Sequence, residues 1–279
     1  MSGPRPINPA PGELAERAHL LDRSGFTPPI HRYAPDPALA GVVRRYWMPV
    51  WSLPDGVVSV QRVLQYPVCQ VVIADDCAEL VGPHSGLSTQ DISGTGWALG
   101  TMLQPAPGLA LVGGGVDTLT DRVVPLDDGA LVRRVHDAVD DDPADPARQL
   151  AAIGAVEEWL AGLLPVDEEG LLVNAIVEYV EGDPAVQRVG QVCDKFAISE
   201  RTLQRLTARR IGLSPKWLIQ RRRLHEAAER LRDVARPDLA RVAVDLGYAD
   251  QAHFGRDFRA VTGLTPGEFA AEPRRDTTG

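Results

Sequence analysis

The hydrophobic positions of this 279-residue chain follow one period in its middle and another towards its end. Asp75 and Asp76 separate two of the short apolar runs in the middle and predict a hairpin turn. Short strands at such spacing are typical of a small sandwich or barrel. The apolar runs, many of them β-branched, lie between residues 42 and 124, at 57–63, 68–73, 78–81, 97–103 and 109–113.

After residue 128 the apolar positions recur at helical spacing. A break rich in acidic residues, at 140–146, separates two such stretches, so the sequence predicts two helices directly after the β-rich part. The first apolar face holds Leu131, Val135, Ala138 and Val139, and the second holds Leu150, Ile153, Val156, Trp159, Leu160 and Leu163.

The last hundred residues contain one pattern twice, over residues 188–210 and 238–262. Each copy predicts a short apolar helix, a tight turn, and a second helix that carries Arg and Gln. Ser199 and Asp250 are suitable N-caps for the two second helices, and Gly247 suits the left-handed end of a helix. This is the layout of a helix-turn-helix motif, whose second helix enters the DNA major groove. The apolar faces comprise Val189, Val192 and Phe196 in the first copy and Leu239, Val242 and Leu246 in the second.

A linker helix is predicted between the two copies, over residues 215–232, with Ser214 as its cap and Pro215 in its first turn. As a helix, its roughly 18 residues would span about 27 Å. One turn of DNA measures about 34 Å. A rigid helix of this length can hold two recognition helices in successive major-groove segments on one face of the DNA.

The first 40 residues are rich in Pro, Gly and Ala and predict a partly extended arm with one short helix over residues 12–22. We therefore predict an α+β protein of two domains. Residues 1–165 are expected to form a β-rich barrel followed by two helices. Residues 166–279 form an all-α DNA-binding domain with two helix-turn-helix motifs joined by the linker helix.

Residues 168–270 resemble the DNA-binding domain of the AraC/XylS family of bacterial transcription regulators. The sequence departs from the family at Thr207, where Phe is usual, and at Ala197, where Gly is usual. In addition, residues 32–47 and 111–128 resemble the subset of the family that has a cupin-like N-terminal domain. The residues at family spacing in the second motif are Gly247-Tyr248, His253-Phe254, Arg256, Phe258 and Gly263-Leu264-Thr265-Pro266.

The resemblance implies that the second helix of each motif contacts DNA bases. Arg pairs well with guanine and Gln with adenine, since each makes two hydrogen bonds to a base edge. The alternatives are that these side chains only solvate exposed faces and that His253 packs beside Phe254. The candidate base or phosphate contacts are Arg201, Gln204, Arg205, Gln251, Ala252, His253 and Arg256. Ser199 joins them at the helix start, and Lys195, Arg209, Arg221 and Arg222 are either phosphate contacts or surface charges.

In relatives with such an N-terminal domain, the barrel can hold a small effector and the helices after it can form a dimer interface. The alternatives are that the aromatic side chains serve the core and that the second helix only caps the barrel. The candidate pocket residues are Tyr46, Trp47, Trp51, Tyr66, His84, Trp97, Met102 and Gln104. The candidate dimer residues are Ile153, Val156, Trp159, Leu160 and Leu163. The resemblance further implies a homodimer that acts on promoter DNA as an activator, with RNA polymerase as a partner.

The net charge of −9 is unevenly distributed along the chain. Residues 185–279 contain 18 Lys and Arg and 12 Asp and Glu. Residues 1–184 contain 11 Lys and Arg and 26 Asp and Glu. Such a basic part on an acidic chain indicates a local DNA-facing surface. Six acidic residues between 166 and 184 cancel this excess, so the positive field must come from clustering on one face. Phosphate contacts of this kind predict binding that weakens strongly with salt.

Other functional classes find less support in the residues. His31 and His84 are far apart and form no His-x-His pair, which a metal-dependent cupin enzyme would need. We expect no enzyme activity, no metal and no cofactor. Cys69 and Cys77 flank the predicted hairpin turn, where they could be cross-strand neighbours. They are interpreted either as a thiol or metal sensor or as two buried small residues.

Few cysteines, no run of 18 apolar residues and no signal-like start predict a cytoplasmic protein without a membrane segment. Two competing classes stay open. One is an enzyme with a DNA-targeting tail, which would need a reactive cysteine motif. The other is an interaction module that has lost DNA binding, against which the Arg and Gln residues of the two motifs speak.

Overall fold

The computed structural model describes residues 19–20, 26, 28–64, 66–233 and 237–271. Most of the helix predicted over residues 12–22 lies outside these residues, and the two described ones, His19–Leu20, form a strand instead. The described residues form a β-rich N-terminal region followed by a helical C-terminal region. In the described part of the chain, no helix is both long and apolar enough to cross a membrane.

Nine strands of the described N-terminal region form two antiparallel sheets. The smaller sheet has the order β1-β4-β7 and the larger has the order β2-β3-β8-β5-β6-β9. The strands are β1 His19–Leu20, β2 Ile30–Tyr33, β3 Val43–Ser52, β4 Val58–Val63, β5 Gln70–Ala74, β6 Ala78–Val81, β7 Ser88–Ser93, β8 Thr95–Leu103 and β9 Val123–Pro125.

The predicted hairpin turn at Asp75 and Asp76 is confirmed, because β5 and β6 pair on either side of it with Ile73 opposite Ala78. The extended arm predicted over residues 1–40 is wrong for its last part. Strand β2 pairs with β3, and Tyr33 is buried, with its hydroxyl donating to Gln149. The sequence analysis missed this strand because prolines lie on both sides of β2, and prolines usually indicate loops.

The apolar run at residues 109–113 is a helix, not a strand. It forms α1, Gly108–Val112, which ends at Gly113 in the left-handed conformation with φ 69°. Its Leu-Ala-Leu segment favours helix over strand, since neither residue type is β-branched. A run of five apolar residues is too short for periodicity to distinguish the two conformations.

The two helices predicted after the sheets are confirmed as α2, Gly129–Val139, and α3, Pro146–Leu160. Asp128 and Asp145 cap them, each accepting a backbone N–H bond with its side chain. Such caps fix where the helices begin, because they satisfy donors that the first turn leaves free.

The predicted dimer interface is wrong for three of its five residues. Ile153, Val156 and Leu160 are buried in this chain's own core, against the large sheet and α2. Trp159 and Leu163 are half-buried and pack on the same cluster. A helix whose apolar face is already covered caps the sheet, which was the alternative. Periodicity identified the apolar face but could not reveal what covers it.

Seven helices form the described C-terminal region, and the predicted linker helix is confirmed with one residue more at its end. The helices are α4 Glu168–Gly182, α5 Val189–Phe196, α6 Glu200–Ile211, α7 Pro215–Asp233, α8 Leu239–Asp245, α9 Gln251–Thr262 and α10 Pro266–Ala270.

Candidate nucleic-acid interface

The first helix-turn-helix consists of α5, a three-residue turn and α6. Val192 of α5 and Leu203 and Leu206 of α6 are buried in one cluster, together with α4 and the start of α7. The Ser199 hydroxyl accepts from the Thr202 backbone N–H at 3.1 Å, so the predicted N-cap is confirmed. Thr207, where the family usually has Phe, is fully buried and donates its hydroxyl to the Gln204 carbonyl.

Ala197 ends α5 in the left-handed conformation, with φ 51° and ψ 41°. A side chain there crowds the following carbonyl, so Gly is the residue that this conformation favours. The corresponding turn of the second motif has Gly247 with φ 75°. The first motif therefore carries local backbone strain that the second avoids.

Replacing Ala197 with glycine is expected to raise the free energy of unfolding by about 0.5–1 kcal/mol, since relief of strain outweighs the entropy gained by the unfolded chain. Urea unfolding measures this change. Ala208 is exposed in the regular part of α6 and serves as the matched control. There the same substitution should cost about 1 kcal/mol. A loss of stability at both positions would contradict the strain at Ala197.

The second helix-turn-helix consists of α8, the turn around Gly247, and α9. Asp250 caps α9 by accepting from the His253 N–H at 2.7 Å, as predicted. Phe254 and Phe258 are fully buried and meet edge to face with ring centroids 5.6 Å apart. Phe269 of α10 packs on Phe258 at 5.3 Å. This aromatic cluster holds the recognition helix by its inner face and leaves the opposite face in solvent.

The outer faces of α6 and α9 are exposed and carry most of the predicted base contacts. Among the described residues, no carboxylate pairs with Arg201, Arg205 or Arg256, so these guanidinium groups are available to a ligand. Gln204 donates to Glu200 of the same helix. The exposed members of the predicted set are Ser199, Arg201, Gln204 and Arg205 in the first motif and Gln251, Ala252 and Arg256 in the second.

Three other candidates have partners in the structure. His253 is half-buried, its ring lies edge-on to Tyr248 at 5.2 Å, and its Nε2 lies 3.8 Å from Asp257. Lys195 is exposed beside the Tyr179 ring, at 5.6 Å from its centroid. Arg209 is exposed and pairs with Glu169 at 3.3 Å. Their roles toward DNA stay predictions.

Arg221 and Arg222 are not surface charges, and that prediction is wrong. Their exposed fractions are 3% and 8%, since both side chains point inward from α7. Arg221 donates to the Gly86 carbonyl, and burial lowers its pKa to about 9. Arg222 donates to the Val186 carbonyl and pairs with Glu226. A run of three arginines on one helix cannot all face solvent, because successive residues point about 100° apart.

Sequence reasoning missed Arg210, which is buried at the end of α6. Its guanidinium binds Asp167 at 2.6 Å and Glu169 at 2.9 Å, and it also donates to the Ala106 carbonyl. The hydrogen bond from Arg210 is the main reason that the pKa of Asp167 lies below its usual value. The adjacent pair Arg209-Arg210 was a signal of basic surface, but only the fold separates the exposed member from the buried one.

The eight predicted pocket residues do not converge on one cavity. Tyr46, Trp97 and Met102 are buried in hydrophobic clusters. The indole N–H groups of Trp47 and Trp51 are bound to Gln70 and to the Ser93 carbonyl. His84 lies near Asp121, and the Gln104 amide donates to the Ala40 carbonyl. Tyr66 lines a cavity.

This cavity, of about 250 Å³, lies between the loop that joins β4 to β5 and the helices α4 and α7. Of the eight predicted pocket residues, all within the described part of the chain, Tyr66 lines it and the other seven do not. His225 packs edge-on to the Tyr66 ring, with centroids 4.8 Å apart. The other residues that line the cavity include Val177, Leu218, Arg221 and Arg222.

Cys69 and Cys77 are not cross-strand neighbours. The β5–β6 register places Gln70 opposite Val81 and Ile73 opposite Ala78, so the two thiols lie at opposite ends of the hairpin. Cys69 is buried and Cys77 is exposed, which also corrects the expectation of two buried residues. The pKa of each thiol is raised to about 12, at Cys69 by burial and at Cys77 by partial loss of solvent around the sulfur together with the nearby carboxylates. Thiols with such pKa values are poor nucleophiles at neutral pH.

Comparisons with known families match two segments of the chain. Residues 192–272 match the family described as a helix-turn-helix domain, and residues 31–125 match a domain of unknown function, DUF6597. The first segment begins within α5 and includes the rest of both motifs and α7. The second contains strands β3 to β9 and all of β2 but its first residue.

Curated relatives match over part of their own length. An AraC-like transcription regulator of Streptomyces antibioticus is 31% identical over 121 residues, which is 43% of this chain and 38% of that protein. The HTH-type transcriptional activator RhaS of Escherichia fergusonii is 36% identical over 78 residues, 28% of each chain. The chain therefore spans well under half of the length of each of these two regulators.

Among solved structures, ToxT of Vibrio cholerae aligns over 81% of this chain and 96% of its own, at 10% identity and a TM-score of 0.44. The sequence matches, the two motifs and their confirmed caps agree with one another. Residues 192–272 of this chain are a helix-turn-helix domain, similar in sequence to that of AraC-like transcription regulators.

Proposed function

We propose that this chain is a sequence-specific DNA-binding transcription regulator that contacts two neighbouring major-groove segments. The observation that carries the proposal is the pair of recognition helices. Each is anchored by a buried apolar face and presents Arg and Gln on the opposite, exposed face. Arg201, Arg205 and Arg256 have the donors that suit guanine, and Gln204 and Gln251 suit adenine.

The division into a sensory and dimerisation domain, residues 1–165, and a DNA-binding domain, residues 166–279, belongs to this proposal. So do promoter activation, contact with RNA polymerase and a homodimer, which rest on the family resemblance. A cytoplasmic location, which rests on the cysteine content and the apolar pattern of the sequence, is also part of it. The candidate effector site is the cavity beside Tyr66, since it lies between the two parts of the chain that an effector would have to couple. A pocket there combines apolar walls with a few polar groups.

Replacing Arg205 or Arg256 with alanine is expected to weaken binding by about 1–3 kcal/mol, each at its own base position. The reason is that each guanidinium pairs with a base edge in a different motif. The measurement is binding of a genomic fragment pool at two salt concentrations, followed by sequencing of the retained DNA. The wild type should retain sites with two short boxes about one helical turn apart.

The matched control is Arg134→Ala, which removes an exposed arginine of α2 that pairs with Glu158 of α3 and should leave binding unchanged. The double variant Arg205→Ala/Arg256→Ala should lose its preference for the sequence of both boxes. It should then retain DNA only through phosphate contacts, which moderate salt abolishes. If the wild type retains all fragments equally, or the double variant keeps the wild-type sites, the interaction-module alternative replaces this proposal.

A further inference from the structure

The two motifs have separate hydrophobic cores that share a single long helix. The first half of α7 contributes Leu218 and Ile219 to the core of the first motif. Its second half contributes Leu224 and Leu231 to the core of the second. The distance between the recognition helices α6 and α9 therefore depends on α7 and on any element that contacts both motifs.

The N-terminal region contacts the end of the first recognition helix. Thr120 donates its hydroxyl to the Gly212 carbonyl at 2.8 Å, directly after α6. Arg210 of α6 donates to the Ala106 carbonyl at 3.3 Å from a buried position. These contacts fix the C-terminal end of α6 against the segment between β8 and β9.

The same region also contacts the core of the second motif. Leu64, directly after β4, is fully buried and belongs to the cluster formed by Leu224, Leu246, Phe254 and other residues of that motif. Leu87, just before β7, packs against this cluster as well. An apolar side chain of the sheet region thus completes a core that the second motif does not fill by itself.

Two hydrogen bonds connect the sheet region to the linker helix between these anchors. The Trp217 indole donates to the Ser85 carbonyl at 3.0 Å, and Arg221 donates to the Gly86 carbonyl at 3.2 Å. The segment before β7 therefore runs along α7. A shift of one motif relative to the other would break either the contacts at Gly212 or those at Leu64.

We propose that the N-terminal sheets brace the two motifs, with Leu64 as the residue that positions the second motif relative to the first. This inference rests on the proposed function, since its purpose is to fix the spacing of the two boxes that the protein reads. In a braced protein the spacing is rigid. One inserted base pair moves the second box by about 3.4 Å and rotates it by about 34°.

The first test needs no DNA. Spin labels are placed at Ala208 of α6 and Ala260 of α9, both exposed, with Cys77 and Cys193 replaced by serine. The distance distribution between the labels should be narrow in the otherwise wild-type chain and broad in Leu64→Ala. Leu64→Met, which conserves volume, should keep it narrow. Leu99→Ala, a matched loss of a buried leucine in the separate core of the large sheet, should keep it narrow too.

The second test is binding to synthetic sites whose two boxes are separated by zero, one or two additional base pairs. Wild type should lose about tenfold in affinity per changed spacing, within the usual range of coupling between two sites. Leu64→Ala should bind the original site about tenfold more weakly and lose most of its preference among spacings. A variant that is only less stable, such as Leu99→Ala, should keep the wild-type preference.

The two tests separate this inference from the proposed function. If the label distances of Leu64→Ala and wild type coincide, the brace is wrong, whatever the protein binds. If the distance distribution broadens as expected but neither the wild type nor any variant recognises a specific site, the structural role of Leu64 is supported and the proposed function fails. If distances broaden while the spacing preference of Leu64→Ala equals that of wild type, Leu64 does not position the motif for DNA.

Discussion

Replacing Phe258 with alanine is expected to lower the free energy of unfolding by about 3–5 kcal/mol, the range for truncating a fully buried aromatic side chain. Phe258 has no exposed surface and meets both Phe254 and Phe269 edge to face. Its removal leaves a cavity beneath the second recognition helix, whose other buried residues are Phe254 and Thr262. Denaturant unfolding followed by circular dichroism measures the loss.

The control lies on the opposite face of the same helix. Arg256 is exposed, so Arg256→Ala should change the unfolding free energy by less than about 0.5 kcal/mol while weakening DNA binding. Phe258→Leu keeps part of the apolar volume and should cost clearly less than alanine. A Phe258→Ala protein as stable as wild type would mean that this aromatic cluster does not support α9.

Local signals explain why the C-terminal region was predictable. Ser199 and Asp250 are caps recognisable by residue type, and Gly247 and Gly263 mark helix ends because only Gly adopts their positive φ without strain. Each of these signals acts within a few residues of its position. Two motifs built from such signals need no knowledge of distant parts of the chain.

The errors share the opposite property, since each depends on contacts between distant residues. Whether Arg221 faces solvent depends on Gly86, which lies far away in sequence. Whether Ile153 meets a second subunit or its own core depends on the large sheet that covers it. Strand β2 forms because β3 offers a partner, although prolines flank it. Periodicity identifies an apolar face and leaves its partner open.

The segment after α6 shows how one residue can join both kinds of constraint. Gly212 ends the recognition helix with φ 78°. A Cβ there would overlap the Thr120 hydroxyl and lie 3.0 Å from the Val116 carbonyl oxygen. The position thus excludes a side chain for a local reason, its backbone conformation, and for a distant one, the neighbouring N-terminal segment.

Replacing Gly212 with alanine is therefore expected to cost more than backbone strain alone. Left-handed conformation costs about 1–2 kcal/mol for a non-glycine residue, and forced overlap in a packed site adds about 1–3 kcal/mol. Gly263 is the matched control, because it ends α9 with φ 76° and a Cβ there would meet nothing within 4 Å. Gly263→Ala should thus show the strain without the overlap. Urea unfolding measures the loss of unfolding free energy in each variant. The difference between the two losses isolates the contact between α6 and the N-terminal region. Equal losses in the two variants would mean that the segment around Thr120 yields freely, and that the end of the first recognition helix is not held by the N-terminal sheets.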